Sequence, residues 1–224
     1  MITTRAEASS FSSNSTITSI RAQASSSSPI TYHVFLSFTI EDSAEAFANH
    51  LYKALDQAGY YTFLDGDDSK STERGESKLE RVIKKSKISI IVFSKGNASS
   101  TQCLDTLVMI LQHKRTSFDP HHVLPLFYDV EPTDVKKQTG CFEEAFKRHE
   151  EILKAEEGGR DGWKSKVEKW KKALKEATDF AGMDLKCDAN GYESKFIKKI
   201  VKEIGVILNQ RTQSIGPYPT GLQH

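Results

Sequence analysis

The chain has 224 residues, room for one domain with tails and none for a long repeat array or a second large catalytic module. Its 31 Lys and Arg nearly cancel its 30 Asp and Glu, which argues against electrostatic capture of nucleic acid or of an anionic membrane as the main task. Three widely spaced cysteines, Cys103, Cys141 and Cys187, form no CxxC pair, and no stretch approaches the roughly 20 apolar residues of a membrane span, so the expectation is a reduced cytoplasmic setting with no disulfide framework, zinc site or membrane anchor.

Residues 1–30 contain ten serines and four threonines and almost nothing that buries apolar area, and they read as a disordered leader. Arg5 and Arg21 against the single acid Glu7 leave a plastid transit peptide as the alternative. The folded part begins with a buried strand over 33–38, followed by an amphipathic helix from about Ser43 to Ala58 with Phe47, Leu51 and Leu55 on one face. Asp42 or Ser43 is placed to cap it, and Gly59 to end it in the left-handed conformation. A second strand over 60–64 leads into a polar loop, Asp65 to Gly75, and a short helix from about Ser77 to Ser86. Residues 88–93, Ile-Ser-Ile-Ile-Val-Phe, are almost wholly apolar, as suits a central strand covered on both faces.

A helix from about Gln102 to Lys114 follows, then a fourth strand over 123–128, where Pro125 costs a ladder hydrogen bond and so places the strand near an edge or at a bulge. Glu131-Pro132-Thr133-Asp134 opens a further helical region, and Trp163, Val167, Trp170 and Leu174 mark a long amphipathic helix with tryptophans as core anchors. A short fifth strand falls near 182–185, and a last helix runs from about Glu193 to Leu208. Alternating strands and helices predict an α/β, flavodoxin-like, doubly wound parallel sheet of four to five strands, in the order 2-1-3-4-5, with helices on both faces. The cleft such a topology favours lies beyond the first and third strands, at Phe38 to Asp42 and Ser94 to Asn97.

Several segments then resemble, in order, the TIR domain of plant disease-resistance proteins, of TIR-only or truncated nucleotide-binding, leucine-rich-repeat type. They include Tyr32-His-Val-Phe-Leu-Ser-Phe38, Phe47-Ala-Asn-His-Leu-Tyr-Lys-Ala-Leu55, Ile88-Ser-Ile-Ile-Val-Phe-Ser94, Leu124-Pro-Leu-Phe-Tyr-Asp-Val-Glu-Pro132 and Phe142-Glu-Glu-Ala-Phe-Lys-Arg-His149. The resemblance covers residues 31–210, and the tail 211–224 resembles the linker that precedes the nucleotide-binding module in full-length receptors. No G-x-x-x-x-G-K-[ST] run occurs in this sequence.

The resemblance implies TIR–TIR association through helix surfaces and, in many members, cleavage of the nicotinamide–ribose bond of NAD through an oxocarbenium-like transition state that a carboxylate stabilises. The family run Trp-Cys-Leu-Asp-Glu-Leu reads Gln102-Cys103-Leu104-Asp105-Thr106-Leu107 here, so Thr106 stands at the catalytic Glu and Gln102 at the Trp. The family Phe-Arg-Gly-Glu-Asp reads Phe38-Thr39-Ile40-Glu41-Asp42, losing a cation and a glycine. A first-strand Asp is His33, and the loop near Gly75 is about three residues shorter than usual. The family's Ser-His pair for helix–helix contact is Asn49-His50.

The expectation is an immune signalling module that associates with other TIR domains or with itself, has lost its catalysis, and needs no cofactor. Thr106 is then an inactive catalytic position, and Phe38, Thr39, Ile40 and Gln102 a degraded nucleotide cleft. The alternative is an NAD-cleaving hydrolase, with Asp105 or Glu41 supplying the carboxylate. Asp105 is rotated by about 100° from Thr106 around the helix. Cys103 reads as a packed thiol, His121-His122 as no metal site, and the lysines between Lys164 and Lys175 as a solvated helix face with no nucleic-acid role.

Overall fold

The structure, a computed structural model, describes residues 31–40, 42–65, 78–155 and 160–214. The expectations for residues 1–30, for Glu41, for the loop around Gly75 and for residues 215–224 lie outside the described residues.

Five parallel strands form one sheet in the order β2-β1-β3-β4-β5, the arrangement the sequence predicts. They are β1 (Tyr32–Ser37), β2 (Thr62–Leu64), β3 (Ser86–Phe93), β4 (His122–Phe127) and β5 (Met183–Asp184). The helices are α1 (Ala44–Gln57), α2 (Lys78–Lys84), α3 (Thr101–Thr116), α4 (Pro132–Lys137), α5 (Cys141–Ala155), α6 (Arg160–Ala177), α7 (Leu185–Ala189) and α8 (Glu193–Ser214).

β3 is buried along almost its whole length, with β1 on one side and β4 on the other. Its alternate side chains feed two cores. Ile88, Ile90 and Val92 join Val34 and Leu36 against α1 and α8, while Ile91 and Phe93 join Phe35 and Phe127 against α2, α3, α5 and α6. On the first face Phe47 stacks on Phe196 at 5.8 Å and on Tyr128 at 4.9 Å, locking α1 to α8 and to the end of β4. Each such buried ring contributes about 1.5–3 kcal/mol through the area it removes from water. On the second face Trp170 is wholly buried, edge-on to the half-buried Trp163 at 5.4 Å, so both act as the anchors the spacing predicts.

Pro125 falls just before the two residues of β4 that pair with β5, so its missing N–H costs nothing on that side. Gly182 lies against it: a Cβ there would stand 2.8 Å from the Pro125 carbonyl oxygen and 3.0 Å from Phe127.

Three local readings are corrected. Neither Asp42 nor Ser43 caps α1 with its side chain; the Asp42 carboxylate is turned instead toward the loop after β3. The helical region after Glu131 is two helices, α4 and α5, separated by Gln138 and Gly140, both at positive φ. After β5, Asp184 accepts from the Cys187 N–H at 2.8 Å and starts the short helix α7, which sequence periodicity does not reveal in so few residues. Gly59 ends α1 at φ +83°, as expected, and α8 continues past Leu208 to Ser214.

Candidate functional site

The loops that leave β1 and β3 meet beyond the carboxyl edge of the sheet. Asn97 is buried on a 3-10 turn after β3, and its Nδ2 donates to Thr39 Oγ1 at 2.9 Å and to the Val92 carbonyl at 3.3 Å. Asp42 makes the second bridge. Its Oδ2 accepts from the Ser94 hydroxyl and from the Gly96 N–H, and its Oδ1 accepts from the Ser43 N–H at 2.6 Å. Ser43 Oγ donates to Asp129 at 2.7 Å, and Asp129 also accepts from the Lys95 N–H at 3.1 Å, so the ends of β1, β3 and β4 are tied by two aspartates. Burial pushes the Asp42 carboxyl up, but the hydrogen bonds from Ser94, Gly96 and Ser43 outweigh it and hold the group below its ordinary range.

Beside this junction is a cleft of about 110 Å³, lined by Phe38, Thr39, Ile40, Asp65, Ser100, Gln102 and Cys103. The four expected cleft positions, Phe38, Thr39, Ile40 and Gln102, are therefore brought together. Sequence reasoning missed Asp65 as a cleft residue. It is 3 % exposed, its N–H donates to the Leu36 carbonyl at 2.8 Å, and its Oδ2 accepts from Ser37 Oγ at 3.4 Å. The available signal was its place immediately after β2, which runs beside β1.

Ser100 opens α3 by accepting from the Cys103 N–H at 3.2 Å. The Cys103 thiol donates to the Phe38 carbonyl at 3.4 Å and lies 3.6 Å from Thr39 Oγ1. Burial pushes its pKa up, hydrogen bonds from Ser100 and Thr39 oppose this, and the charges of Asp65 and Asp42 push it up further. It is a thiol that packs and donates, not a ready thiolate.

Thr106 is not on the cleft wall. It is fully buried on the sheet-facing side of α3, and its Oγ1 has no hydrogen-bond partner. Asp105 faces the other way, where it accepts from Trp170 Nε1 at 2.8 Å and pairs with Lys166 at 2.8 Å. The rotation of one helical residue thus places Asp105 against α6. His33 is also not a cleft residue. It stands near the start of β1, some 3.3 Å of rise per residue away from Phe38, and its Nδ1 accepts from the Tyr61 N–H at 2.9 Å.

Asn49 and His50 lie elsewhere, on α1, with Asn49 half-buried and His50 exposed beside the exposed Lys53. The neighbouring α8 exposes Lys198, Lys199 and Lys202. His121 is buried with Nε2 at 2.9 Å from Ser89 Oγ and Nδ1 at 3.0 Å from the Ser86 carbonyl, a structural role. Among the described residues no cluster of His, Cys, Asp and Glu is placed to hold a metal ion, and no helix is long and apolar enough to cross a membrane.

The family described as TIR domain matches residues 31–220. The disease resistance protein RPV1 of Vitis rotundifolia is 39% identical over 209 residues, which is 91% of this chain and 14% of that protein. The TMV resistance protein N of Nicotiana glutinosa is 37% identical over 187 residues, 82% of this chain and 15% of that protein, so the chain spans a small part of the length of these relatives. Among solved structures, the TIR domains of the activated Roq1 resistosome, which directly recognises the pathogen effector XopQ, superpose with a TM-score of 0.66 at 40% identity, over 78% of this chain and 99% of that one.

Two outcomes follow from this geometry. Thr106→Val removes a buried hydroxyl that has no partner while keeping the side chain's shape, and it is expected to raise stability by about 1 kcal/mol in denaturant unfolding. The depressed Asp42 carboxyl contributes stability that is present above the unfolded value of about 3.9 and is lost as pH falls through the lower folded value. Unfolding curves of wild type and Asp42→Asn are therefore expected to differ most at neutral pH and to converge on acidification.

Proposed function

Because this chain belongs to the TIR-domain family, we propose that it serves plant immune signalling as an association module, pairing with other TIR domains or with a second copy of itself, without cleaving NAD. Thr106 carries the catalytic half of this reading. Cleavage of the nicotinamide–ribose bond builds positive charge on the ribose, and the stabilising group has to be an anion already in place. On α3 the position is a neutral threonine enclosed at the helix–sheet interface, and the adjacent Asp105 is committed to Trp170 and Lys166. The cleft has also lost a cation at Thr39 and gained the half-exposed Ile40 where a glycine would let backbone approach a ligand. No cofactor is required for this role.

The association half rests on α1, which exposes His50 and Lys53, and on α8, which exposes Lys198 and Lys202, the two helices covering the same face of the sheet. The TIR domains of Roq1 occur in an assembled resistosome, and a comparable helix-to-helix contact here would be small and polar. The setting is cytoplasmic, and the near-neutral charge balance leaves nucleic acid and anionic membrane out of the scheme.

The alternative reading, an NAD-cleaving hydrolase, has one observation in its favour. Asp65 brings a carboxylate to the cleft from β2, opposite the α3 wall.

Association is tested by sedimentation velocity on the chain alone and mixed with a second TIR domain. A monomer at micromolar concentration that associates on mixing is expected. His50→Glu is expected to weaken that association about tenfold, with the melting temperature unchanged because the side chain is exposed. Association as strong as wild type in this variant contradicts the α1 surface as the interface.

A further inference from the structure

We propose that the groove between α3 and α6 is a docking site for a second copy of this chain, entered by the Phe118 ring and the Asp119 carboxylate that follow α3. This contact goes beyond the α1 surface of the association proposed above and does not depend on it.

The first observation is a projecting ring. Phe118 stands two residues past the end of α3 at Thr116 and is 107 % exposed, the most exposed of the large apolar side chains described. A phenylalanine offers a partner about 150–250 Å² of surface to bury. Single exposed apolar residues are common on soluble proteins, so the ring alone identifies nothing. What singles it out is a groove that fits it.

The second observation is that groove. It has a volume of about 260 Å³ and is walled by Val108, Leu111 and Arg115 of α3 and by Lys169, Lys172 and Ala173 of α6. Leu111 and Ala173 are buried and Val108 is half-buried, so the base is apolar, while Lys169 and Lys172 are exposed at the rim. A cavity of ~150 Å³ holds one benzene ring, so a phenyl group fits here with room for the atoms that carry it.

Charge then selects the segment that enters. Arg115 is held by both oxygens of Glu176, at 2.9 and 2.6 Å. On α6, Lys166 pairs with Asp105 and Lys171 with Glu150, whereas among the described residues Lys169 and Lys172 have no such partner. Asp119 is exposed and follows the Phe118 ring directly. A second copy that presents Phe118 and Asp119 sets ring against apolar base and carboxylate against two ammonium groups. Ring and groove belong to one helix, on the order of 10 Å apart along its axis from Leu111, so a two-fold pairing fills both grooves at once. Two rings and their walls bury less than the ~1,200 Å² of the smallest stable interfaces, and a Kd on the order of 100 µM is expected. α3 and α6 cover the sheet face opposite α1 and α8, so this contact leaves the α1 surface open to another partner.

The test is sedimentation velocity from ~10 µM to ~1 mM, with His50→Glu as the parent so that the α1 surface does not contribute. The parent is expected to dimerise with a Kd on the order of 100 µM, and Phe118→Ser to stay monomeric throughout. Asp119→Lys alone, and Lys169→Glu with Lys172→Glu, are each expected to weaken pairing about tenfold. An equal mixture of these two proteins is expected to pair as strongly as the parent, because each ring then carries the charge opposite to the groove it enters. All four positions are exposed, so the substitutions leave the fold intact. A parent that is monomeric at ~1 mM, a Phe118→Ser chain that pairs like the parent, or a mixture no stronger than its components overturns the proposal. None of these readings involves the α1 surface.

Discussion

The double burial of β3 is the constraint from which the rest of this molecule follows. A strand with apolar side chains on both faces has to be covered from both sides, so the helices divide into an α1 and α8 layer and an α2, α3, α5 and α6 layer. The same strand sits where the chain reverses its direction of travel across the sheet, with β1 to one side and β4 to the other. Its end therefore opens onto the junction that Asp42 and Asn97 close. Structural stability and the location of the cleft have one origin.

The orientation of α3 then decides what chemistry the cleft holds. Leu104, Leu107, Ile110 and Leu111 must face the sheet, and that requirement fixes the helix about its own axis. Cys103 falls at the cleft, Thr106 falls inside, and Asp105 falls outside against Trp170. A substitution at position 106 cannot be answered by the neighbouring aspartate without turning the whole apolar face of the helix away from the core. Among the described residues that line the cleft, the carboxylate is that of Asp65, which comes from the end of β2 and not from α3.

The periodic elements were legible in the sequence because burial writes itself into spacing. The run at 88–93, the Phe47-Leu51-Leu55 stripe and the Trp163-Trp170 pair each predicted a face, and each face is buried or packs against a core. Short elements were not legible. α7 has too few residues to show a period, and its start depends on one aspartate carboxylate reaching one N–H. The role of Asp42 was misread because a carboxylate before a helix has two uses, capping and cross-loop bridging, and only the fold brings Ser94 and Gly96 to it. Asp65 was hidden for a related reason: its neighbours in the cleft come from β1 and α3, and local sequence reports a polar loop residue and nothing more.

The claim that association has outlived catalysis in this chain is most directly tested by nicotinamide release from NAD, measured over hours with concentrated protein beside an active family member. The account predicts no release above background from wild type, and little or none from Thr106→Glu, because the substrate also has to be held in reactive geometry. Robust wild-type turnover that persists in Thr106→Ala would contradict it and would place the catalytic charge on another carboxylate, with Asp65 the first to replace.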